Sequence, residues 1–385
     1  MLNNSEFDDI RPYNDEEVRS AIERLMKDPE FKAIVHRVFP EKEEELGTLM
    51  RSFQSIHDFQ FVLIKDFVFD LVGKRADSIR CAGWEHIQEN QAYTYISNHR
   101  DIVLDAALLS SLLADKGYRT AEIAIGDNLL LRPWIRDFVR LNKSFIVKRG
   151  VSIRQMLEVS THLSRYIHYT VCEKRESVWI AQREGRAKDS NDRTQESLLK
   201  MLGMGGNSGF QDNIRELNIL PVSFSYEYDP CDYLKAKEFQ QKRDQPDFKK
   251  SQEDDLLNMQ TGLFGYKGNI HIQFGRPLNP LLENRNALQS KNEFVQTLAS
   301  LIDKEIFLNY KFYPCNYIAY DRLWGKNYFA DRYTKEDIET FNNYLYNQLE
   351  KIDLANKDPD FLTGKILEMY ANPVKNQLET NDKNI

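Results

Sequence analysis

The chain has 385 residues, 41% hydrophobic and 29% charged, the balance of a globular protein long enough for a large core or two domains. Its formal net charge of −7 argues against a general nucleic-acid binder, although a local basic site stays open. The four cysteines, Cys81, Cys172, Cys231 and Cys315, are far apart, with no C-x-x-C pair and no histidine companion at metal spacing, so neither a zinc site nor a disulfide framework is expected and reduced thiols fit a cytosolic setting.

The opening segment MLNNSEFDDIRPYNDEEV places acidic residues where a signal peptide needs positive charge and an apolar run, so no export signal is expected. Residues 1–76 read as a helical N-terminal region: DEEVRSAIERLM carries Val18, Ile22 and Leu25 at helical spacing behind an acidic first turn. The longest apolar run, FQFVLIKDFVFDLVG, is short and broken by Lys65 and Asp66, so no spanning helix is expected. From residue 77 to 285 the texture changes. The β-prone runs DSIRCAGWEHI, AYTYISN, AEIAIGD, SFIVKRG, SVWIAQREG, NILPVSFSYEYD and NIHIQFGRPL alternate with helical runs such as LDAALLSSLLADKG and IRQMLEVSTHLSRYIHY. That alternation predicts an α/β core with a mostly parallel central sheet flanked by helices. Ligands in such cores sit beyond the carboxyl ends of strands, where the polar clusters SNHRD, KRG and REGR fall. Phe239 to Asp255 reads as an exposed loop or insertion. Residues 286–385 read as a helical C-terminal region, in which TKEDIETFNNYLYNQLEKI is an amphipathic helix opened by a threonine cap.

The stretch ISNHRDIVLD, Ile96 to Asp105, is open to three readings. A kinase catalytic loop H-R-D needs an asparagine five residues after the aspartate to hold magnesium, and that position is Ala106. No D-F-G and no glycine-rich loop accompany it, so the kinase reading fails. A His–Asp pair for acyl transfer is the second reading: imidazole, with a pKa of about 6.5, suits proton removal near neutrality, and a carboxylate on its other nitrogen fixes the tautomer. His99 with Asp105, or with Asp101, supplies such a pair. A polar turn leading into a helix, with no chemistry, is the third.

Four blocks between about Ser78 and Pro280 resemble, in order, those of the glycerolipid acyltransferase family. Asn98-His99 opens the first, N-H-x4-D; SFIVKRG places Arg149 in the second; Glu184, Gly185 and Arg186 match the third; and ILPVSFSYE supplies Pro221 for the fourth. The closing IHIQFGRPL resembles the family's final strand. Two departures mark a divergent branch. Five residues rather than four separate His99 from Asp105, and Arg183 stands where the family usually has proline before Glu-Gly, with Arg186 following Gly185 at once. The continuation LDAALL favours Asp105 over Asp101 as the partner of His99.

The resemblance implies an O-acyltransferase of phospholipid synthesis that moves a fatty acyl group from acyl-CoA or acyl-carrier protein to 1-acyl-glycerol-3-phosphate. Glycerol-3-phosphate or another lyso-lipid is the alternative acceptor, and a non-catalytic lipid-binding protein of the same fold is the alternative class. His99 would be the base, Asp105 its orienting carboxylate, and Arg149 and Arg186 the phosphate grip, with Lys148 and Arg183 adding positive potential. Glu184 would orient the acceptor or Arg186, Gly185 would let backbone approach the ligand, and Pro221 would shape a strand end or acyl groove. No cofactor or metal is expected. The partners implied are the two substrates, possibly acyl-carrier protein, and a membrane surface met by a cytoplasmic, peripheral enzyme. NLLLRPWIRDFVRLNK, with Arg132, Arg136 and Arg140 four residues apart among apolar side chains, is the candidate interfacial helix. GMGGNSG, Gly203 to Gly209, lacks the ending of a phosphate loop and reads as a flexible loop.

Overall fold

A computed structural model describes residues 4–38, 41–283, 290–325 and 327–382. The expected junction at residues 285–286 lies outside the described residues. All the β-prone runs become strands: β1 (Ser78–Ala82), β2 (Thr94–Ser97), β3 (Glu122–Gly126), β4 (Ser144–Val147), β5 (Val178–Ala181), β6 (Ile219–Tyr226) and β7 (Asn269–Phe274). They form one seven-stranded sheet in the order β1-β7-β6-β2-β5-β3-β4. Strands β6, β2, β5, β3 and β4 run parallel; β7 is antiparallel to β6, and β1 follows β7. The fold is therefore the mostly parallel α/β core expected, with helical regions before and after it.

The strands are apolar runs because helices cover both faces of the sheet. On one face, Tyr95, Trp179, Leu220 and Ile272 share a core with the helix Leu104–Asp115 and with the N-terminal helices Asp15–Lys27, Pro29–Val38 and Lys65–Gly73. The helix Leu104–Asp115 is buried on nearly all sides, which is why its sequence has almost no polar face. On the other face, Ile96, Phe145, Ile180 and Ile219 pack against the helices Ile153–His168 and Lys291–Leu308. A third core joins the C-terminal helices Pro314–Trp324, Lys335–Glu350 and Pro359–Asp382 to the helix Asp232–Asp244. Thr334 caps the helix Lys335–Glu350 in a reciprocal box with Asp337, as its sequence predicts.

The expected loop at Phe239 to Asp255 is mostly helix. The helix Asp232–Asp244 runs through its first part and the helix Gln252–Phe264, capped by Ser251 and Asp254, begins before it ends. Apolar periodicity missed the first of these because its buried face is polar: Lys235, Glu238 and Gln240 are buried there, held by Asp229, Lys188 and the Asn356 carbonyl.

Candidate active site

Strand β2 ends at Ser97, and the next residue is fully buried Asn98. Its side-chain amide donates to the Phe224 carbonyl at 2.9 Å and its Oδ1 accepts from the Phe224 N–H at 2.8 Å. The side chain thus continues the β2–β6 ladder past the end of the strand and fixes where His99 leaves the sheet.

His99 Nδ1 lies 2.8 Å from Asp105 Oδ2. Asp105 sits in the first turn of the helix Leu104–Asp115, is 0% exposed, and leaves the ring 14% exposed. Its Oδ2 also accepts from the Arg100 and Asp101 N–H groups at 2.6 and 3.1 Å, and its Oδ1 accepts from Tyr226 Oη at 2.8 Å. These donors hold the carboxylate in place against the ring. An acceptor-only partner assigns the proton to Nδ1, so Nε2 carries the free lone pair. Trp179 meets the imidazole edge-on with centroids 5.5 Å apart, and its Nε1–H is taken by Ser97 Oγ at 2.9 Å.

Asp101 has a different task. Its Oδ1 accepts from the Val103 and Leu104 N–H groups at 2.9 and 2.8 Å, capping the start of the helix. Burial, reinforced by Asp105, pushes its carboxyl above the ordinary value. The extra residue between His99 and Asp105 is absorbed in this capped turn, and Asp105 is the carboxylate on the ring. A Cβ at Gly262, in the helix Gln252–Phe264, would overlap Asp101 Oδ2, so that helix seats on the turn only because glycine stands there.

The other predicted residues lie on the loops beyond β4 and β5, at the same edge of the sheet. Arg149 takes its backbone position from Asp127, whose Oδ1 accepts its N–H at 3.1 Å. Its guanidinium lies over Gly126, where a Cβ would come within 2.6 Å of Nε, and reaches Glu184 Oε1 at 3.3 Å. Gly185 adopts φ 65° with open space around it, so left-handed backbone rather than crowding accounts for the glycine. Arg186 has another partner: its Nη2 donates to Asn258 Oδ1 at 3.1 Å, one helical turn from Gly262. Arg149 and Glu184 are thus brought into contact, whereas Arg186 pairs with a separate helix. Buried N–H groups at Arg186 Nη1 and Arg183 Nε have no protein partner.

Sequence reasoning named Asn98 only as part of the first block, with no role, and did not single out Tyr226 or the buried ion pairs behind the turn. Arg100 Nη2 lies 2.7 Å from Asp192 Oδ2, and Lys235 is bonded to Asp229. Burial alone would raise the Asp229 carboxyl, but Lys235 and the Cys231 N–H hold it below its ordinary value. The Lys235–Asp229 pair is hydrogen-bonded, whereas Arg100 Nη1 and Asp192 Oδ1 keep buried polar atoms without a hydrogen-bond partner.

Two expectations need correction. Pro221 lies inside β6 opposite Ile96, its carbonyl accepting the Gly275 N–H at 2.8 Å, so it sits within the sheet rather than at a strand end. In the candidate interfacial segment only Pro133–Leu141 is α-helical, and its apolar face is covered: Phe31 packs on Trp134 and Phe138, Phe59 packs on Phe138, and Arg140 bonds the Arg11 and Asp8 carbonyls. The amphipathic pattern serves the N-terminal helices, not a bilayer.

Residues 78–225, the span that holds His99, Asp105, Arg149 and Glu184–Arg186, match the family model described as Acyltransferase. This span of the chain is similar to the acyltransferase family. Among solved structures, the chain aligns over 74% of its length, and 94% of the other's, with the crystal structure of the 1-acyl-sn-glycerophosphate (LPA) acyltransferase, PlsC, from Thermotoga maritima, at 13% identity and a TM-score of 0.37. A curated sequence, the probable D-serine dehydratase of Fusobacterium nucleatum, is 27% identical over 126 residues, covering 31% of this chain. The match spans only 28% of that protein's own length.

Proposed function

We propose that this acyltransferase transfers a fatty acyl group from a thioester to the free hydroxyl of a lipid phosphate, 1-acyl-glycerol-3-phosphate being the acceptor that best suits the site. One observation carries the reading: the fully buried Asp105 directs Oδ2 at His99 Nδ1 while Tyr226 and two backbone N–H groups saturate its remaining capacity. That arrangement presents Nε2 as a base and stabilises the imidazolium formed when it takes a proton. In the step proposed, Nε2 takes the acceptor's hydroxyl proton as the oxygen attacks the thioester carbonyl. The tetrahedral intermediate collapses, the C–S bond breaks, and the imidazolium returns the proton to the leaving thiolate. Atoms and charge balance without a metal or cofactor. The partnerless N–H groups of Arg186 and Arg183, with Arg149 held loosely by Glu184, support a phosphate at this edge.

The same edge supports a peripheral encounter with a lipid surface. Directly after β4 and Arg149, the first turns of the helix Ile153–His168 expose Ile153 (88%), Met156 (52%) and Leu157 (69%), with Arg154 beside them. Apolar side chains flanked by a cation are what an interfacial helix offers. Among the described residues no helix is long and apolar enough to cross a membrane.

The test is turnover by the purified chain, supplied with acyl-CoA or acyl-carrier protein and with lysophosphatidate or glycerol-3-phosphate, beside His99→Ala. Lysophosphatidate turnover that the substitution abolishes is the expected result. Preference for glycerol-3-phosphate would move the acceptor, turnover insensitive to His99→Ala would remove the base, and binding without turnover would leave a lipid-binding protein.

A further inference from the structure

At the opposite edge of the sheet from His99, where strands β5 and β6 begin, a second histidine is held in a different way. The helix Ile153–His168 does not stop at its last α-helical residue but widens into a π-helical turn over Tyr169–Glu173. Such wide turns place side chains where a regular helix would not, and they recur at functional sites. Here the segment carries His168 and Cys172 toward Glu216, the last residue of the helix Phe210–Glu216. The imidazole nitrogen, the thiol sulfur and a carboxylate oxygen all lie within 4.8 Å of one another, with Nδ1 and Glu216 Oε2 3.9 Å apart.

The outer contacts of His168 and Glu216 are already those of metal ligands, while the Cys172 thiol donates to the Glu216 carbonyl at 3.7 Å. His168 is 6% exposed, and its Nε2 lies 2.9 Å from the Leu202 carbonyl, which can only accept. The ring proton is therefore on Nε2, and Nδ1 is a buried nitrogen with no hydrogen-bond partner, facing Cys172 and Glu216. Glu216 Oε1 accepts from Ser208 Oγ at 3.0 Å, which leaves Oε2 on the His168 side. Metal-bound histidines and carboxylates are oriented by such second contacts, a carbonyl on the far ring nitrogen being a common one. The loop that supplies Ser208 is GMGGNSG, and Gly205 and Gly206 in it serve packing. A side chain at Gly205 would overlap the Ser164 backbone, and one at Gly206 would overlap Asn213 and come within 3.0 Å of His168 Cε1.

We propose that His168 Nδ1, Cys172 Sγ and Glu216 Oε2 bind a divalent metal ion of the zinc class, with solvent as the fourth ligand. Imidazole, thiolate and carboxylate together favour zinc over magnesium or calcium, which take oxygen alone. Bonds of roughly 2.0–2.3 Å to a tetrahedral centre bring ligand atoms to about 3.3–3.8 Å, so the set has to close by about an ångström, within reach of the Glu216 side chain. On binding, the Cys172 thiol gives its proton to solvent and the thiolate completes the bond. The ion would cross-link the end of one helix to the helix leading into β6, far from the acyl-transfer edge.

The test uses the full chain stripped with a chelator and titrated with Zn2+, and with Co2+ as an optical reporter. We expect one ion per chain and a thiolate-to-cobalt charge-transfer band that Cys172→Ser removes. Ser208→Ala, which leaves all three ligands, should weaken zinc binding about tenfold to a hundredfold. Should Cys172→Ser fail to fold, alkylation of the unmutated chain, mapped cysteine by cysteine, serves instead: zinc should protect Cys172 and leave Cys81 reactive. Zinc binding of equal strength in Cys172→Ser, or alkylation of Cys172 unchanged by zinc, would overturn the proposal.

Discussion

His99 and His168 are both held at the sheet's edges by a single ring nitrogen, yet the two ends of the molecule use opposite nitrogens and opposite kinds of partner. At the carboxyl edge a carboxylate, Asp105, takes Nδ1–H, the contact that the base role proposed for His99 would use. At the amino edge a neutral carbonyl, Leu202, takes Nε2–H, and burial pushes the imidazole below its ordinary value, toward the uncharged form. The side chain is the same; the charge of its fixed partner decides whether the free nitrogen is suited to accept a proton and hold it. A histidine in a sequence is therefore informative about chemistry only once its second nitrogen has been accounted for.

The sharpest way to break the comparison is to remove each ring. His99→Ala should lower kcat about a thousandfold, within the range for a lost general base, with little change in the unfolding midpoint. His168→Ala should instead cost about 3 kcal/mol of folding stability by leaving a cavity and an unpaired carbonyl, read by denaturant unfolding. The next effect tests the cations around the first ring. Arg186→Ala should raise the acceptor KM roughly thirtyfold to a hundredfold, the value of about 2–3 kcal/mol for a charge-assisted bond, and leave the donor KM nearly unchanged. Arg149→Ala should act in the same direction but less, because its side chain is one-third exposed and shared with Glu184. Equal effects on both substrates would remove the phosphate role from either residue.

Tyr226→Phe probes the partner rather than the ring. It removes the donor on Asp105 Oδ1 and leaves the carboxylate–imidazole contact intact, so kcat should fall about tenfold with the acceptor KM unchanged. A fall in acceptor affinity instead would make Tyr226 a substrate contact. The smallest expected effect lies away from both rings. Asp232, buried and close to Asp229, has its carboxyl pushed up to about 6 despite hydrogen bonds from Tyr344, Tyr370 and Gln348. A carboxyl raised on folding contributes stability that is present below its ordinary value of 3.8 and lost as pH rises through about 6. Thermal unfolding across that window should therefore slope downward with pH, and Asp232→Asn should flatten it.

What the sequence made legible follows from where its signals are local. The strands read correctly because each is a short apolar run between polar turns, and the His99–Asp105 contact lies in the turn that leads from one such run into the next helix. The contacts of Tyr226 and Asn98 could not be read the same way, since their partners lie more than a hundred residues away in the chain. The helix Asp232–Asp244 was hidden by its polar buried face, and the segment Pro133–Leu141 misled because an apolar stripe does not say whether lipid or another helix covers it. His168 and Cys172 are four apart in the sequence, a spacing that gained meaning only with the wide turn and with Glu216 brought up from another helix.

The Asn98 amide has a consequence for what evolution can write at that position. It faces the Phe224 main chain with a donor opposite a carbonyl and an acceptor opposite an N–H. Aspartate has the same outline but would set oxygen against oxygen, and leucine, of similar bulk, would leave both main-chain groups unanswered. The position selects for polarity in a fixed order rather than for size, so the residue before the histidine is as constrained as the histidine itself, although it never meets the substrate.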